Sequence, residues 1–165
     1  MAPIVISSCA DATVIAAVHH ATISVAYRGY FPHSPPPAVA ELQAVWAARL
    51  ADPTATAFLA SIDGQPAGSV MARADPQFGE GQVVGLHVLP SLWGQGIGSA
   101  LHDCALAVLS GAGYRTAGLW VIAANDRARC MYEKRGWALL PGAEQEEEGV
   151  TEVRYCRVLP EHGCR

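Results

Sequence analysis

Two blocks of this chain carry residues whose types and spacing can do chemistry. In the first, the apolar run Leu86-His87-Val88-Leu89 ends at Pro90 and passes into Trp93-Gly94-Gln95-Gly96-Ile97-Gly98-Ser99, which opens directly into a helical pattern. A turn of this kind presents several backbone N–H groups with no side chain in front of them. It also lies at the positive end of the following helix, so the chemistry it suits is the holding of a phosphate or pyrophosphate. The glycines do not form G-x-G-x-x-G: counted from Gly94 the last position is Ser99, and from Gly96 it is Leu101. A Gly-Lys-Ser/Thr phosphate loop is excluded as well, because the only lysine is Lys134.

The second block runs Asn125-Asp126-Arg127-Ala128-Arg129-Cys130-Met131-Tyr132-Glu133-Lys134-Arg135-Gly136-Trp137. Asn125 is a good N-cap after the apolar run Leu119 to Ala124, and Gly136 is a natural helix terminator. Asn125 and Tyr132 are two helical turns apart and share a face. A phenol titrates at about 10, so at neutral pH it is protonated and can donate. Taken by itself, Tyr132 is equally a tyrosine packed on a sheet. Trp-Gly-Gln-Gly-Ile-Gly followed by Ser-Ala-Leu resembles the acetyl-CoA loop of the GNAT N-acetyltransferases, Arg/Gln-x-x-Gly-x-Gly/Ala, with Trp93 standing at its first position. The second block is similar to that family's N-x-x-A-x-x-x-Y-E-K-x-G-[F/W] helix.

The resemblance covers essentially the whole chain and is strongest from Gln82 to Trp137. It implies an α/β (α+β) fold, a three-layer α/β/α sandwich whose mixed, largely antiparallel sheet splays between its fourth and fifth strands. It implies acetyl-CoA as acyl donor, no metal, and direct attack by a small-molecule or peptide amine in a ternary complex. His87, Val88, Trp93, Gly94, Gln95, Gly96, Ile97, Gly98, Ser99 and Asn125 would bind the cofactor, and Tyr132 would protonate the departing sulfur. Homodimerisation through the C-terminal strands is an option the family offers. Many members carry a glutamate as general base on the strand before the loop. Here that position falls near Gln82, which cannot take a proton, so Glu80, His87 and a water chain stand as alternatives and no base is named. By strand alternation His87 faces opposite to Leu86 and Val88 unless Gly85 shifts it, and a buried core histidine is an equal reading. Gly85 itself marks either a packing gap or the bulge that frees backbone groups for the pantetheine arm.

Positioning these groups requires a definite order of elements. Ile4 to Ser7 reads as a strand, Asp11 to about Tyr27 as a helix, and Ala38 to Ala51 as a second helix closed by Asp52-Pro53. Thr56 to Ile62 and Ala67 to Ala74 read as strands joined by Asp63-Gly64-Gln65-Pro66. Then come a strand from Gln82 to Leu89, a helix from Gly96 to about Ala112, a strand from Thr116 to Ala123 and the Asn125 helix. Trp137 to Leu140 and Glu152 to Leu159 read as a final hairpin around an acidic loop, Glu144-Gln145-Glu146-Glu147-Glu148, solvated in this reading. Tyr30, Phe31 and His33, between the first two helices, either line an acceptor pocket or pin a proline-rich loop to the body. His19 and His20 read as helix residues and poor metal ligands, Arg127 and Arg129 as solvated charges or phosphate contacts, and Trp46 and Trp120 as core.

The 165 residues suit one domain with a proper core, and 51% hydrophobic against 16% charged residues marks an ordinary globular chain. Eleven basic and fifteen acidic residues give a net charge of -4, which leaves no basic face for nucleic acid. Cys9, Cys104, Cys130, Cys156 and Cys164 are odd in number and widely spaced, consistent with free thiols in a reducing cytoplasm. No basic residue precedes Arg28 and no apolar run approaches the length of about 20 residues that spans a bilayer, so a cytoplasmic protein with no membrane association is expected. Cys130 lacks a paired histidine, which disfavours a covalent thiol route. Two rivals remain: a non-catalytic CoA-binding sensor with the same fold, and a nucleotide-binding protein using the same glycine turn.

Overall fold

A computed structural model describes residues 2–147 and 149–161. The elements are β1 (Ile4–Ser8), α1 (Ala12–Ala26), α2 (Val39–Leu50), β2 (Thr56–Ile62), β3 (Gln65–Asp75), β4 (Glu80–Val88), α3 (Ile97–Gly111), β5 (Thr116–Ile122), α4 (Asp126–Lys134), β6 (Ala138–Glu147) and β7 (Val150–Val158). The strands form one sheet in the order β1-β2-β3-β4-β5-β7-β6. Every neighbouring pair is antiparallel except β4 and β5. The helices cover both faces, giving the three layers and mixed sheet the sequence implies.

Local chemistry sets most of these boundaries. Asp11 caps α1 by accepting from the Thr13 and Val14 amides, and Asn125 caps α4 by accepting from Ala128. Asp63 and Gly64 both have positive φ, 50° and 75°, as a two-residue turn matched to strand twist requires. The turn is therefore shorter than the four residues expected, and β3 starts at Gln65. On one face α1 and α2 pack Ile15, Ala16, Ile23, Leu42 and Trp46 against Ala57 and Met71. On the other, α3 sets Ile97, Leu101, Ala105 and Leu109 against Ala60, Val70, Ala72, Val83 and Ala117, with Tyr132 and Trp137 continuing that core. Among the described residues no helix is long and apolar enough to cross a membrane.

Two sequence expectations give way here. The acidic run is not a loop: β6 extends to Glu147, with Glu144 through Glu147 paired to Val153 through Val150. A strand with one exposed edge tolerates charge, so the run reads like a loop in isolation; Glu148 lies outside the described residues. Trp120 is half-buried rather than core, while Trp46 is fully buried.

The sheet is tied across its weak seam by Arg154. From β7 its Nη2 donates to Asp75 on β3 at 2.8 Å and to Glu80 on β4 at 2.5 Å, with no side-chain exposure at the arginine. The guanidinium carbon lies 3.6 Å from the Phe78 ring centroid. The crossing is open because Gly118 has no side chain; a Cβ there would coincide with the Arg154 guanidinium and the Glu80 carboxylate. Replacing Arg154 with alanine leaves two carboxylates buried without a counter-charge. Arg154→Ala is expected to lower unfolding free energy by about 3–5 kcal/mol, read from urea denaturation midpoints.

Candidate active site

β4 and β5 pair only at Gly81–Ala117 and Gln82–Gly118 and then diverge. Gly85 gives β4 its bend. The register with β3 slips between Ser69 and Met71, leaving one extra residue on β4, and Gly85 takes φ 61°. A Cβ on Gly85 would stand 2.5 Å from Trp46 Cη2, so the bulge also accommodates the indole of α2. Both readings of Gly85 hold: the strand bulges there, and the missing side chain leaves the gap that a helix side chain fills.

Beyond the bulge, alternation holds. Leu86 and Val88 face the α3 core, while His87 is buried on the α1–α2 side, stacked on His19 with ring centroids 4.1 Å apart. The Leu89 N–H donates to Ala67 on β3, so the peptide groups of Val88 point to the β5 side, into the seam. The Val88 carbonyl accepts from Trp93 Nε1 at 2.8 Å. Its N–H faces β5 well above the last β4–β5 rung.

The glycine turn leads from that strand end into α3. Trp93 donates its own amide to Pro90, so it does not join the set of bare amides expected from the sequence. Among the described residues the amides of Gly94 through Ser99 have no hydrogen-bond partner. Gly94 and Gly96 take φ 78° and 83°, and a Cβ on either would meet nothing within 4 Å. Arg127 on α4 lies 3.8 Å over the Trp93 ring, making no ion pair among the described residues. Arg129 is instead structural: it donates to Tyr155 Oη and to the Ala123 carbonyl.

Val88, Trp93, Gly94, Gly96, Ile97, Gly98, Ser99, Asn125, Arg127 and Tyr132 line one cleft of about 690 Å³; His87 also reaches it, and Gln95 is beside it in the turn. A second cleft, of about 1060 Å³, lies over the α1–α2 side, lined in part by Phe31, His33, Arg49, Arg73, Gln82, Glu147 and Glu152. Tyr27, Val83, Gly85, His87, Trp120, Ile122 and Glu152 belong to both, so the two clefts meet where β4 and β5 part. Phe31 and His33 thus line a pocket, and Tyr30 reaches the first cleft.

Burial, then the Tyr27 hydroxyl, raises the Tyr132 pKa above the ordinary phenol range. Burial first, then Glu152, pushes Tyr27 up to about 12. Of the base candidates, Glu80 is committed to Arg154, and Gln82 accepts from Arg73 Nε at 3.0 Å. Burial, then His19 and Arg49, holds His87 well below the usual imidazole range. Glu152 was not singled out by the sequence. It stands at the meeting of the clefts and accepts from Gln145 at 2.7 Å, and burial, against that hydrogen bond, raises its pKa. Tyr27 and Glu152 carried no local signal; only the pairing of β7 with β5 brings Glu152 opposite Ile122.

The sequence model of the family described as "Acetyltransferase (GNAT) family" matches residues 20–137. The chain is 40% identical over 81 residues to a mycothiol acetyltransferase of Streptomyces avermitilis, a match taking in 49% of this chain and 26% of that protein. It therefore covers only a minor part of that relative's length. Among solved structures it superposes on an acetyltransferase from Thermus thermophilus with TM-score 0.74 and 20% identity, covering 96% of this chain and all of that one. A Salmonella typhimurium protein with its cofactor acetyl-CoA superposes with TM-score 0.69 and 15% identity, covering 98% and 96%.

Two outcomes follow from this geometry. Gly85→Ala combines a left-handed backbone with a collision against Trp46, and is expected to lower stability by about 2–4 kcal/mol in denaturant titrations. The histidine stack gives a pH dependence. Trp46 Nε1 donates to His19 Nδ1, and burial, then Arg49, lowers His19 from 6.5 to about 4. A depressed pKa means the unfolded chain binds protons first, so this stability is complete above about pH 6.5 and drains as pH falls towards His19's folded value. The slope approaches about 1.4 kcal/mol per pH unit for each histidine. Urea midpoints between pH 7 and pH 5 should therefore fall less steeply in His87→Gln than in the wild type, by about that slope.

Proposed function

Because the chain belongs to the acetyltransferase (GNAT) family, we propose that it transfers acetyl from acetyl-CoA to a primary amine by direct attack in a ternary complex. The observation carrying this reading is the joining of the two clefts at the β4–β5 seam, with free backbone donors at one end and a protonated phenol beside the junction.

The residues fit the group. The six free amides from Gly94 to Ser99, together with the N-terminus of α3, would hold the pyrophosphate. Arg127 lines the same cleft and adds a positive charge near it. The Val88 N–H would donate to the pantetheine arm as a strand donates to an added strand, or polarise the acetyl carbonyl. Asn125 uses its carbonyl to cap α4, which leaves its side-chain N–H groups for the arm. The Salmonella protein with acetyl-CoA, sharing this fold, supports the choice of donor. When bound, acetyl-CoA supplies an acetyl carbonyl activated as a thioester.

Glu152 takes one proton from the incoming ammonium and passes it to solvent. The neutral nitrogen closes on the acetyl carbon as the carbon–sulfur bond breaks. Tyr132 gives its proton to the departing sulfur and regains one from the nitrogen. Burial keeps the Tyr132 phenol protonated throughout the working range, as a donor requires. Burial also brings the Glu152 carboxyl closer to neutrality, where a base is most effective.

The test is an amine panel with acetyl-CoA, following thiol release. Tyr132→Phe is expected to lower kcat by about 100- to 10,000-fold while CoA still raises the melting temperature. Glu152→Gln should lower kcat/KM and remove the acid limb of its pH profile, since activity is lost as pH falls through the Glu152 pKa. No thiol release with any amine, alongside stabilisation by CoA, would favour a sensor; stabilisation by ATP or NAD but not CoA would overturn the donor.

A further inference from the structure

The second cleft carries charges that the acyl-transfer reading leaves unused. Arg49 reaches it from α2 and Arg73 from β3. Among the described residues neither guanidinium has a carboxylate within ion-pair distance. Arg49 rests over the Trp46 ring at 4.8 Å, and Arg73 spends only its Nε, on Gln82. Among the described residues their terminal nitrogens make no hydrogen bond. Burial first, then the charge of Arg73, lowers the Arg49 pKa, and Glu147 opposes them in part. Two like charges held together in a partly desolvated cleft cost free energy unless an anion joins them.

Of the other charged groups facing the cleft, Arg28 adds a third guanidinium from the loop after α1, and the rest are of opposite sign. Glu147 comes from β6 and Glu152 from β7; Asp75 is already paired with Arg154, and Glu41 accepts from the Ala38 amide. The cleft therefore carries both signs, with Arg49 and Arg73 contributed by α2 and β3 and carboxylates by β6 and β7. A simple amine would satisfy one side only. A phosphate dianion would suit the arginines but would meet Glu147 and Glu152 with excess negative charge. A ligand with one anion and one ammonium satisfies both.

We propose that Arg49 and Arg73 form a carboxylate subsite, so that the acceptor is an amino acid or similar zwitterion with its carboxylate on the two guanidinium groups and its ammonium facing Glu152. This rests on the acyl-transfer reading for the reaction, but not for the binding. Guanidinium forks match carboxylate oxygens in pairs, and Trp46 holds one fork flat. The carboxylate anchors the acceptor while leaving its nitrogen free at the seam.

The experiment titrates a panel of N-acetyl-L-amino acids and their carboxamides into the protein, following tryptophan fluorescence, since Trp120 lines the cleft and Arg49 rests over Trp46. N-acetylated phosphoethanolamine serves as the phosphate arm. At least one acid is expected to bind about tenfold or more tighter than its amide, and Arg49→Gln or Arg73→Gln should abolish the difference. In turnover, the amino acid should exceed its amide and its decarboxylated amine in kcat/KM by a similar factor, and either substitution should erase that ratio. Either arginine variant suffices should the other fail to fold. Equal binding of every acid and its amide, retention of the preference in both variants, or tighter binding of the phosphate would overturn the subsite. Those results leave thiol release from acetyl-CoA untouched; conversely, absence of thiol release with a preserved acid preference would sink the reaction and keep the subsite.

Discussion

The β4–β5 pairing stops after Gln82–Gly118, and the rest of the architecture is arranged around that interruption. Parallel neighbours ordinarily continue their ladder, because a buried N–H or C=O without a partner costs free energy comparable to a lost hydrogen bond. Here the ladder is prevented from closing by a bulge at Gly85 wedged against Trp46, and kept from opening further by Arg154 reaching under β5 to Asp75 and Glu80. A wedge and a clamp of opposite effect hold the gap at one width. Some freed groups are satisfied internally, as the Val88 carbonyl is by Trp93. Others, such as the Val88 N–H, face the cleft.

The local parts of this design were legible in the amino acids. The glycine turn, the Asn125 cap, the Gly136 stop and the hairpin at Asp63-Gly64 are fixed by residues within a few positions of one another, so their chemistry is visible in the order of residues. Gly85 was legible as an anomaly and ambiguous in meaning, because the Trp46 indole that resolves it lies on another element. The failures are non-local. Glu144 through Glu147 read as loop because nothing nearby reveals that β7 pairs with them. Trp120 read as core because its size favours burial, yet the widened seam leaves it lining both clefts. Glu152 and Arg154 are neighbours on one strand and point to opposite fates, one to the cleft junction and the other into a buried triad. Two residues apart, they share a face of β7, so the difference comes from the elements each one meets and not from the strand's own pattern.

The α1–α2 side of the sheet shows how burial divides identical chemistry into different roles. Glu80 and Glu152 carry the same group. The first is locked beneath the sheet by Arg154, and the second is held at the cleft junction by a single amide from Gln145. Likewise His19 and His87 are imidazoles near the junction of the clefts that burial keeps uncharged, with their rings stacked beside the seam.

Gly118 has a consequence for how such a chain can change over generations. Its missing side chain is the corridor through which Arg154 passes, so alanine at 118 is compatible only with a chain that has already given up the arginine. An arginine lost first strands two acids in the interior. Neither step is easy alone, and the order in which they come matters. Four positions on β3, β4, β5 and β7 are thereby bound into one heritable unit.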